Sequence, residues 1–263
     1  MKSLTTTLLL LIAFAAADAQ SWIPSLSTNY AFTMPTRGMK QYIKYGNGLS
    51  LNLLAEAPSH RVAAGLEFNW TGYGHSKSRQ DYTFPDGTVA PMDLLVNNNI
   101  TTLMATTRLY LLLEGPVRPY ATVKAGYSFF RTELSIVDPD DNDSCKPVER
   151  SILSKDGTLV YSAGGGVRID MAWIFKKVRQ KNKYYFDLSA TMIQGGRVNY
   201  MNEDAPDPTA TTHSSMSTRV QDVDAQFINT QTQVVHTHHV GYLYNSFVQM
   251  MDFRLGLTVG IGN

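Results

Sequence analysis

The chain has 263 residues, a net charge of +1 and a single cysteine, Cys145. That length suits one barrel-sized domain. The balanced charge, with no dense basic stripe, argues against nucleic-acid binding, and one cysteine excludes an internal disulfide framework. Mean hydropathy is slightly negative, and past the N-terminus no apolar run approaches the roughly 20 residues of a membrane helix.

Lys2, the apolar run Leu8 to Ala16 and then Ala17-Asp18-Ala19 follow the charged, apolar and small-residue order of a secretory signal peptide. Cleavage is expected after Ala19, giving residues 1–19 as signal peptide and 20–263 as the mature domain. The residue directly after the cleavage site is Gln20 and not cysteine, so a lipid anchor is not expected.

Period-two alternation then recurs along the chain. Leu26, Thr28, Tyr30, Phe32 and Met34 oppose Ser27, Asn29, Ala31 and Thr33. Leu49, Leu51, Leu53 and Ala55 oppose Ser50, Asn52, Leu54 and Glu56. Val62, Ala64, Leu66, Phe68 and Trp70 oppose Ala63, Gly65, Glu67, Asn69 and Thr71. A fourth stretch sets Leu103, Ala105, Thr107, Leu109, Leu111 and Leu113 against Met104, Thr106, Arg108, Tyr110 and Glu114. A fifth sets Ala121, Val123, Ala125, Tyr127 and Phe129 against Thr122, Lys124, Gly126 and Ser128.

In the sixth, Tyr161, Ala163, Val167, Ile169, Met171 and Trp173 oppose Ser162, Gly164, Gly166, Arg168 and Asp170. In the seventh, Tyr184, Phe186, Leu188, Ala190 and Met192 oppose Tyr185, Asp187, Ser189, Thr191, Gly195 and Arg197. The last runs from Phe247 to Gly262. Phe253, Leu255, Leu257, Val259 and Ile261 lie on its apolar side, with Asp252, Arg254, Gly256, Thr258 and Gly260 opposite. A water-facing strand does not need glycine, which weakens it; a cramped polar interior does. The expected fold is all-β: an eight-stranded antiparallel up-and-down transmembrane β-barrel with lipid on the apolar side.

The connections alternate in length. Pro58–His60, Gly115–Arg118 and Phe175–Lys183 are short; Thr36–Tyr45, His75–Asn99, Val137–Gly157 and Asn199–Asn245 are long. Outer-membrane barrels segregate short periplasmic turns from long extracellular loops in this way. Aromatics gather at strand ends, Trp173, Phe175 and Tyr184 on one side and Trp70, Tyr127, Phe129, Tyr161 and Phe247 on the other, as interfacial girdles do. The alternative is a secreted β-barrel or sandwich with the apolar face inward.

Thr107-Arg108-Leu109-Tyr110, followed by Gly115-Pro116-Val117-Arg118-Pro119-Tyr120 and the Gly-containing strand Ala121 to Gly126, resembles the small OmpA/OmpX-like outer-membrane barrels of Bacteroidota. The resemblance implies an integral outer-membrane location and carries no catalytic signature. The chain departs from it in ending at Asn263 instead of a terminal aromatic. It also shows no peptidoglycan-binding domain, so a wall-anchoring role is not implied.

The inward faces carry both signs: Glu56, Glu67, Glu114, Asp170, Asp187 and Asp252 against Arg108, Lys124, Arg168, Arg197 and Arg254. An eight-stranded barrel is just wide enough for its own side chains, and buried charge must be paired, so a packed, salt-bridged lumen is expected over a gated channel. The site residues of that network are Glu67, Arg108, Lys124, Arg168, Asp170, Asp187, Asp252 and Arg254, with Arg168–Asp170 and Asp252–Arg254 as neighbouring pairs.

In the third long loop, Asp138, Asp140, Asn142, Ser144 and Glu149 have the oxygen-ligand spacing of a calcium loop. Asp143 stands at the usual glycine, no helices flank the loop, and an acidic, solvated loop is the alternative. No other cofactor is expected. His236, His238, His239 and His213 could meet at zinc or copper only if the fold gathered them. His213-Ser214-Ser215 invites a hydrolase reading but lies in a Thr/Ser/Pro-rich loop with nothing to hold a catalytic base, so no enzyme is expected.

Between Thr218 and Val240, β character returns, either as a hairpin projecting above the membrane or as two further wall strands; the Gln, Asp and Asn density favours the hairpin. The expected partners are outer-membrane lipid and lipopolysaccharide, and a protein met by the loops or by the basic turn Lys176–Lys183. The expected role is structural or surface-binding. The alternatives are an accessory subunit of an envelope secretion machine of the PorT-like kind, a narrow channel, and a lipid-modifying enzyme.

Overall fold

The computed structural model describes residues 22–83, 86–139, 149–175, 183–202, 217–228 and 235–261. Within them run nine strands: β1 (Ile23–Pro35), β2 (Gly46–Glu56), β3 (Val62–Thr83), β4 (Val89–Tyr110), β5 (Val117–Val137), β6 (Glu149–Asp170), β7 (Lys183–Asn202), β8 (Ser217–Ile228) and β9 (Val235–Gly260). A 3₁₀ turn, Arg37–Gln41, follows β1, and a single helical turn, α1 (Met171–Ile174), follows β6.

Each strand from β1 to β7 pairs antiparallel with the next; β7 then pairs with β9, and β9 with β1. Eight strands therefore close a barrel. β8 is the ninth, pairing with β9 from Ser246 to Val235, where β1 has already ended. The Thr218–Val240 stretch is thus the hairpin and not a pair of extra wall strands.

The wall is polar inside and apolar outside. On β1, Ser25, Ser27, Asn29 and Thr33 are buried, while Leu26, Tyr30 and Met34 are exposed; β2 repeats the pattern with Ser50 and Asn52 against Leu49, Leu51 and Leu53. Burial of hydroxyl, amide and charged groups beneath an exposed Leu, Phe, Tyr and Trp surface is unfavourable in water and favourable in hydrocarbon. The alternative with apolar residues turned inward is excluded, because Phe253 and Leu255 are exposed while Asp252 and Arg254 are buried. The fold is a transmembrane β-barrel.

Two chain-length effects shape its ends. At one end the turns are tight: Ala57 N–H donates to Val62 and His60 N–H to Ala57, and Gly115 adopts φ 97°, a left-handed value that suits glycine. At the other end β3 to β7 and β9 run 20 to 26 residues, against 13 and 11 for β1 and β2. A tilted strand crosses a bilayer in about 9–11 residues, so roughly half of each long strand projects beyond it. Three expected loops shrink accordingly. His75–Asn99 is mostly a β3–β4 hairpin, β6 begins at Glu149 instead of after Gly157, and much of Asn199–Asn245 is strand. Polar outward residues hid these segments, because alternation against water on one face and a small apolar core on the other is weak.

That core is real. Met92, Leu94 and Val96 of β4 and Leu134 and Ile136 of β5 bury one another inside the projecting part, with Leu153 and Val240 packed against them.

Candidate functional site

Two ion networks fill the bore. In the upper one, Arg254 donates through Nη1 to Glu67 at 2.5 Å and through Nε to Asp252 at 2.6 Å, and Lys124 Nζ reaches the same Glu67 oxygen at 2.8 Å. Arg254 also donates to Ser50 Oγ (3.0 Å), and Thr33 donates to Asp252 (3.1 Å). Two carboxylates therefore face two cations, and all four side chains are buried. Asn29, Asn52 and Asn69 bring further buried amide atoms to the inner wall.

The lower network lies toward the short turns. Arg108 Nη1 and Tyr120 Oη both donate to Asp187 at 2.5 Å, with the Arg108 guanidinium 4.5 Å from the Tyr120 ring centre. Arg168 donates to Glu56 at 2.9 Å, Arg118 at 3.0 Å, and His60 Nδ1 lies 2.9 Å from the same carboxylate. Taking one charge from such a pair strands the other in low dielectric, which is costlier than never having had the pair.

Of the eight residues expected in one network, seven are ion-paired in the bore, Glu67, Lys124, Asp252 and Arg254 in the upper network and Arg108, Arg168 and Asp187 in the lower. Asp170 is not. Its side chain accepts from Ala172 N–H at 2.8 Å and caps α1 at the barrel rim, while its expected partner Arg168 turns to Glu56. Two further inward assignments fail. Glu114 sits exposed in the β4–β5 turn, beyond the end of β4 at Tyr110. Arg197 faces out, donating to Asn245 Oδ1 (3.0 Å) and lying 4.7 Å from the Phe247 ring centre. A bulge between Gln194 and Arg197 inserts the extra residue that inverts the alternation, so Val198 and Tyr200 turn inward instead.

Sequence alone placed Arg118 in a turn, yet it closes the lower network. The inward register of Tyr120, Thr122 and Lys124, read backward by two, reaches it.

Above the charges the bore is apolar. Met39 and Ile43, from the β1–β2 connection, pack with Met104, Phe130, Val160, Ile193, Tyr200 and Tyr244. Tyr42 stacks on Tyr244 with ring centres 3.7 Å apart. This connection folds into the barrel, and the bore is filled at that level.

No family model matches the chain, and no curated protein matches it. Among solved structures, Neisserial surface protein A aligns over 90% of this chain and 97% of its own at 10% identity, with a TM-score of 0.42. Ail, the attachment invasion locus protein of Yersinia pestis, aligns over 92% and 99% at 11% identity, also at 0.42. The N-terminal β-barrel domain of Pseudomonas aeruginosa OprF aligns over 88% and 96% at 11% identity, at 0.29. At these values no residue role transfers, so the site must be read from its own side chains.

A second concave region lies beside the plug. It is a cavity of about 730 Å³ bounded by the chain from Gln41 to Asn47 and by β3 and β4 at Trp70–His75 and Asn97–Asn99, with Glu133 and Arg150 behind. Glu133 is buried and ion-paired with Arg150 and with Arg131 (3.0 Å). His75 Nδ1 lies 2.7 Å from Asn97 Oδ1. Of these residues the sequence singles out Trp70 alone, as an interfacial aromatic; the others come from a connection and from strand extensions whose alternation is weak.

Of the expected calcium ligands, Asp140, Asn142 and Ser144 lie outside the described residues. Asp138 and Glu149 are within them, and Glu149 accepts from Tyr82 Oη at 2.9 Å. The signal peptide, Cys145, His213 and the basic turn before Lys183 also lie outside the described residues, and of His236, His238 and His239 only the backbone is described.

Proposed function

We propose that the protein is a small integral outer-membrane β-barrel of a Gram-negative bacterium, of the kind its turn motif resembles in Bacteroidota, exported with residues 1–19 as a cleaved signal peptide. Its bore is a structural seal, it performs no catalysis, and its activity is surface binding through the projecting long-strand end, which faces outward from the cell.

One observation carries this reading. The interior charges are neutralised by one another beneath an apolar plug, whereas the projecting half has a core of its own and a concave surface. A bore organised for transport would keep a continuous polar path, and the plug interrupts it.

The test has two parts. The purified barrel in a planar bilayer should show no steady conductance at moderate voltage, and intact cells should lose the β3–β4 hairpin to added protease while the barrel remains. A steady ion current would sink the seal. Recovery of a stoichiometric envelope complex after mild detergent extraction would favour the accessory-subunit role instead.

A further inference from the structure

The cavity beside the plug exists because of strand length. β1 and β2 stop at Pro35 and Gly46, and above Gly72 strand β3 is paired on its β4 side alone among the described residues. The wall is therefore missing over the β1–β2 hairpin. β8 covers part of the gap from the far side, approaching β3 to within 8 Å between Cα atoms. Below it the opening remains, with the infolded β1–β2 connection as its floor.

The mouth is at a particular height. Trp70 and Tyr45 stand at its lip, exposed by 46% and 54%, and Trp70 continues the outward apolar column Leu66 and Phe68 of β3. Aromatic side chains of this kind mark the boundary between hydrocarbon and head groups. The opening thus faces sideways into the interfacial layer as well as upward to water.

Its lining narrows the occupant. A bare acyl chain would find amides and charges in its path. An inserted peptide strand needs two strand spacings, about 10 Å, between its neighbours, and where β8 comes within 8 Å of β3 that room is absent. A free anion would need several uncommitted cations, but Arg150 is held by Glu133 and His75 by Asn97.

A sugar ring meets the remaining chemistry. Asn47 and Asn99 supply amides that both donate and accept, as hydroxyl groups require, and Asn97, whose Oδ1 meets His75, keeps its N–H donors. Tyr45 and Trp70 supply flat π faces for its C–H surface. The volume is that of an ordinary small-molecule site.

We propose that this cleft binds the sugar head group of an outer-leaflet glycolipid, with Lys44 at the rim meeting an acidic substituent on that sugar. The proposal rests on the outer-membrane reading above. It explains why the cleft opens at the membrane boundary: the lipid's chains lie along Leu49, Leu51 and Phe68, and anchoring in the same leaflet raises the effective concentration of the head group.

The chain has three tryptophans, so Trp22→Phe and Trp173→Phe together leave Trp70 as a reporter at the lip. In detergent micelles this protein would be titrated with lipid A, with phosphatidylglycerol as an anionic lipid lacking sugar, and with free glucosamine 6-phosphate. Saturable change of Trp70 emission is expected with lipid A at about a tenth of the mole fraction phosphatidylglycerol needs, with glucosamine 6-phosphate competing only weakly. Asn97→Ala with Asn99→Ala should weaken the lipid A response about thirtyfold, for two lost hydrogen bonds near 1 kcal/mol each. Lys44→Ala should erase the preference for phosphorylated over dephosphorylated lipid A. An equal response to phosphatidylglycerol, or a lipid A response untouched by the asparagine changes, overturns the assignment. Heat-dependent gel migration checks that each variant is folded. A wild-type chain that never gains this migration in lipid counts against the membrane reading, whereas a folded barrel indifferent to lipid A counts against the ligand alone.

Discussion

Arg254 joins both acids of the upper network, and its removal leaves Glu67 and Asp252 sharing one cation, Lys124. Arg254→Leu should therefore cost about 3–5 kcal/mol of stability, read by urea unfolding in lipid vesicles. Asp170→Asn is the control: it weakens a helix cap at the rim and should cost about 1 kcal/mol or less. If the two changes cost the same, the network has been misassigned. Alternation in the sequence shows which charges turn inward within a regular strand; it does not show where the wall ends, and so by period alone Asp170 and Glu114 fall inside it. A second expectation concerns acid. Asp93, outside the membrane-spanning part, is held below the usual carboxylate range by the hydrogen bonds of Lys77 and Arg79. A lowered folded value means stabilisation that is present above the unfolded value, near 3.8, and lost as pH falls through the folded one. Hydrogen exchange in the β3–β4 hairpin should rise below about pH 4 while the barrel strands stay protected, and Asp93→Asn should remove most of that dependence. Unchanged acid sensitivity in the variant would refute the role of Asp93.

Strands are legible as far as their period holds. β1 and β2, and β9 from Tyr244 to Thr258, keep one parity, and their faces can be assigned from residue type alone. β7 breaks parity at Gly195–Gly196, β3 shifts register between Gly72 and Gly74, and the β5–β6 ladder shifts beside Glu133. An inserted residue leaves composition unchanged but turns every later side chain over, which is why Arg197 was misplaced. Deleting Gly196 alone should remove the extra residue and leave Arg197 opposite Phe247 and Val198 opposite Ser246, whereas deleting Gly195 and Gly196 together should drive Arg197 against the apolar cluster and Val198 outward. In a Cys145→Ser background, Val198→Cys should resist a membrane-impermeant thiol reagent with Gly196 alone deleted and react with both glycines deleted. Equal labelling in both would mean that the residue count at the bulge does not set the facing.

At the scale of the whole molecule, the apolar belt, the short turns and the charged bore were readable. The plug and the lateral cleft were not, because each depends on how far neighbouring strands extend past one another. The plug matters for transport because it is one of three closures stacked along the axis. Met39 and Ile43 close the upper bore with apolar bulk, the Glu67–Arg254 layer closes the middle with paired side chains, and the Arg108–Asp187 and Arg168–Glu56 pairs close the lower end. Closures in series fail only together. Met39→Ala with Ile43→Ala removes packing at a cost of about 2–5 kcal/mol for the larger truncations and should leave a planar bilayer silent, since the ion layer below is intact. Glu67→Ala with Arg254→Ala removes opposite charges together, stranding neither, and leaves Lys124 to face Asp252; this variant should also be silent. The four changes combined should open the path only as far as the lower network and stay silent; adding Arg108→Ala with Asp187→Ala should produce discrete current steps, provided heat-dependent gel migration shows the barrel folded. Current from the plug variant alone would show that the ionic layer does not close the bore, and the charges would then have to be read as the lining of a gated path.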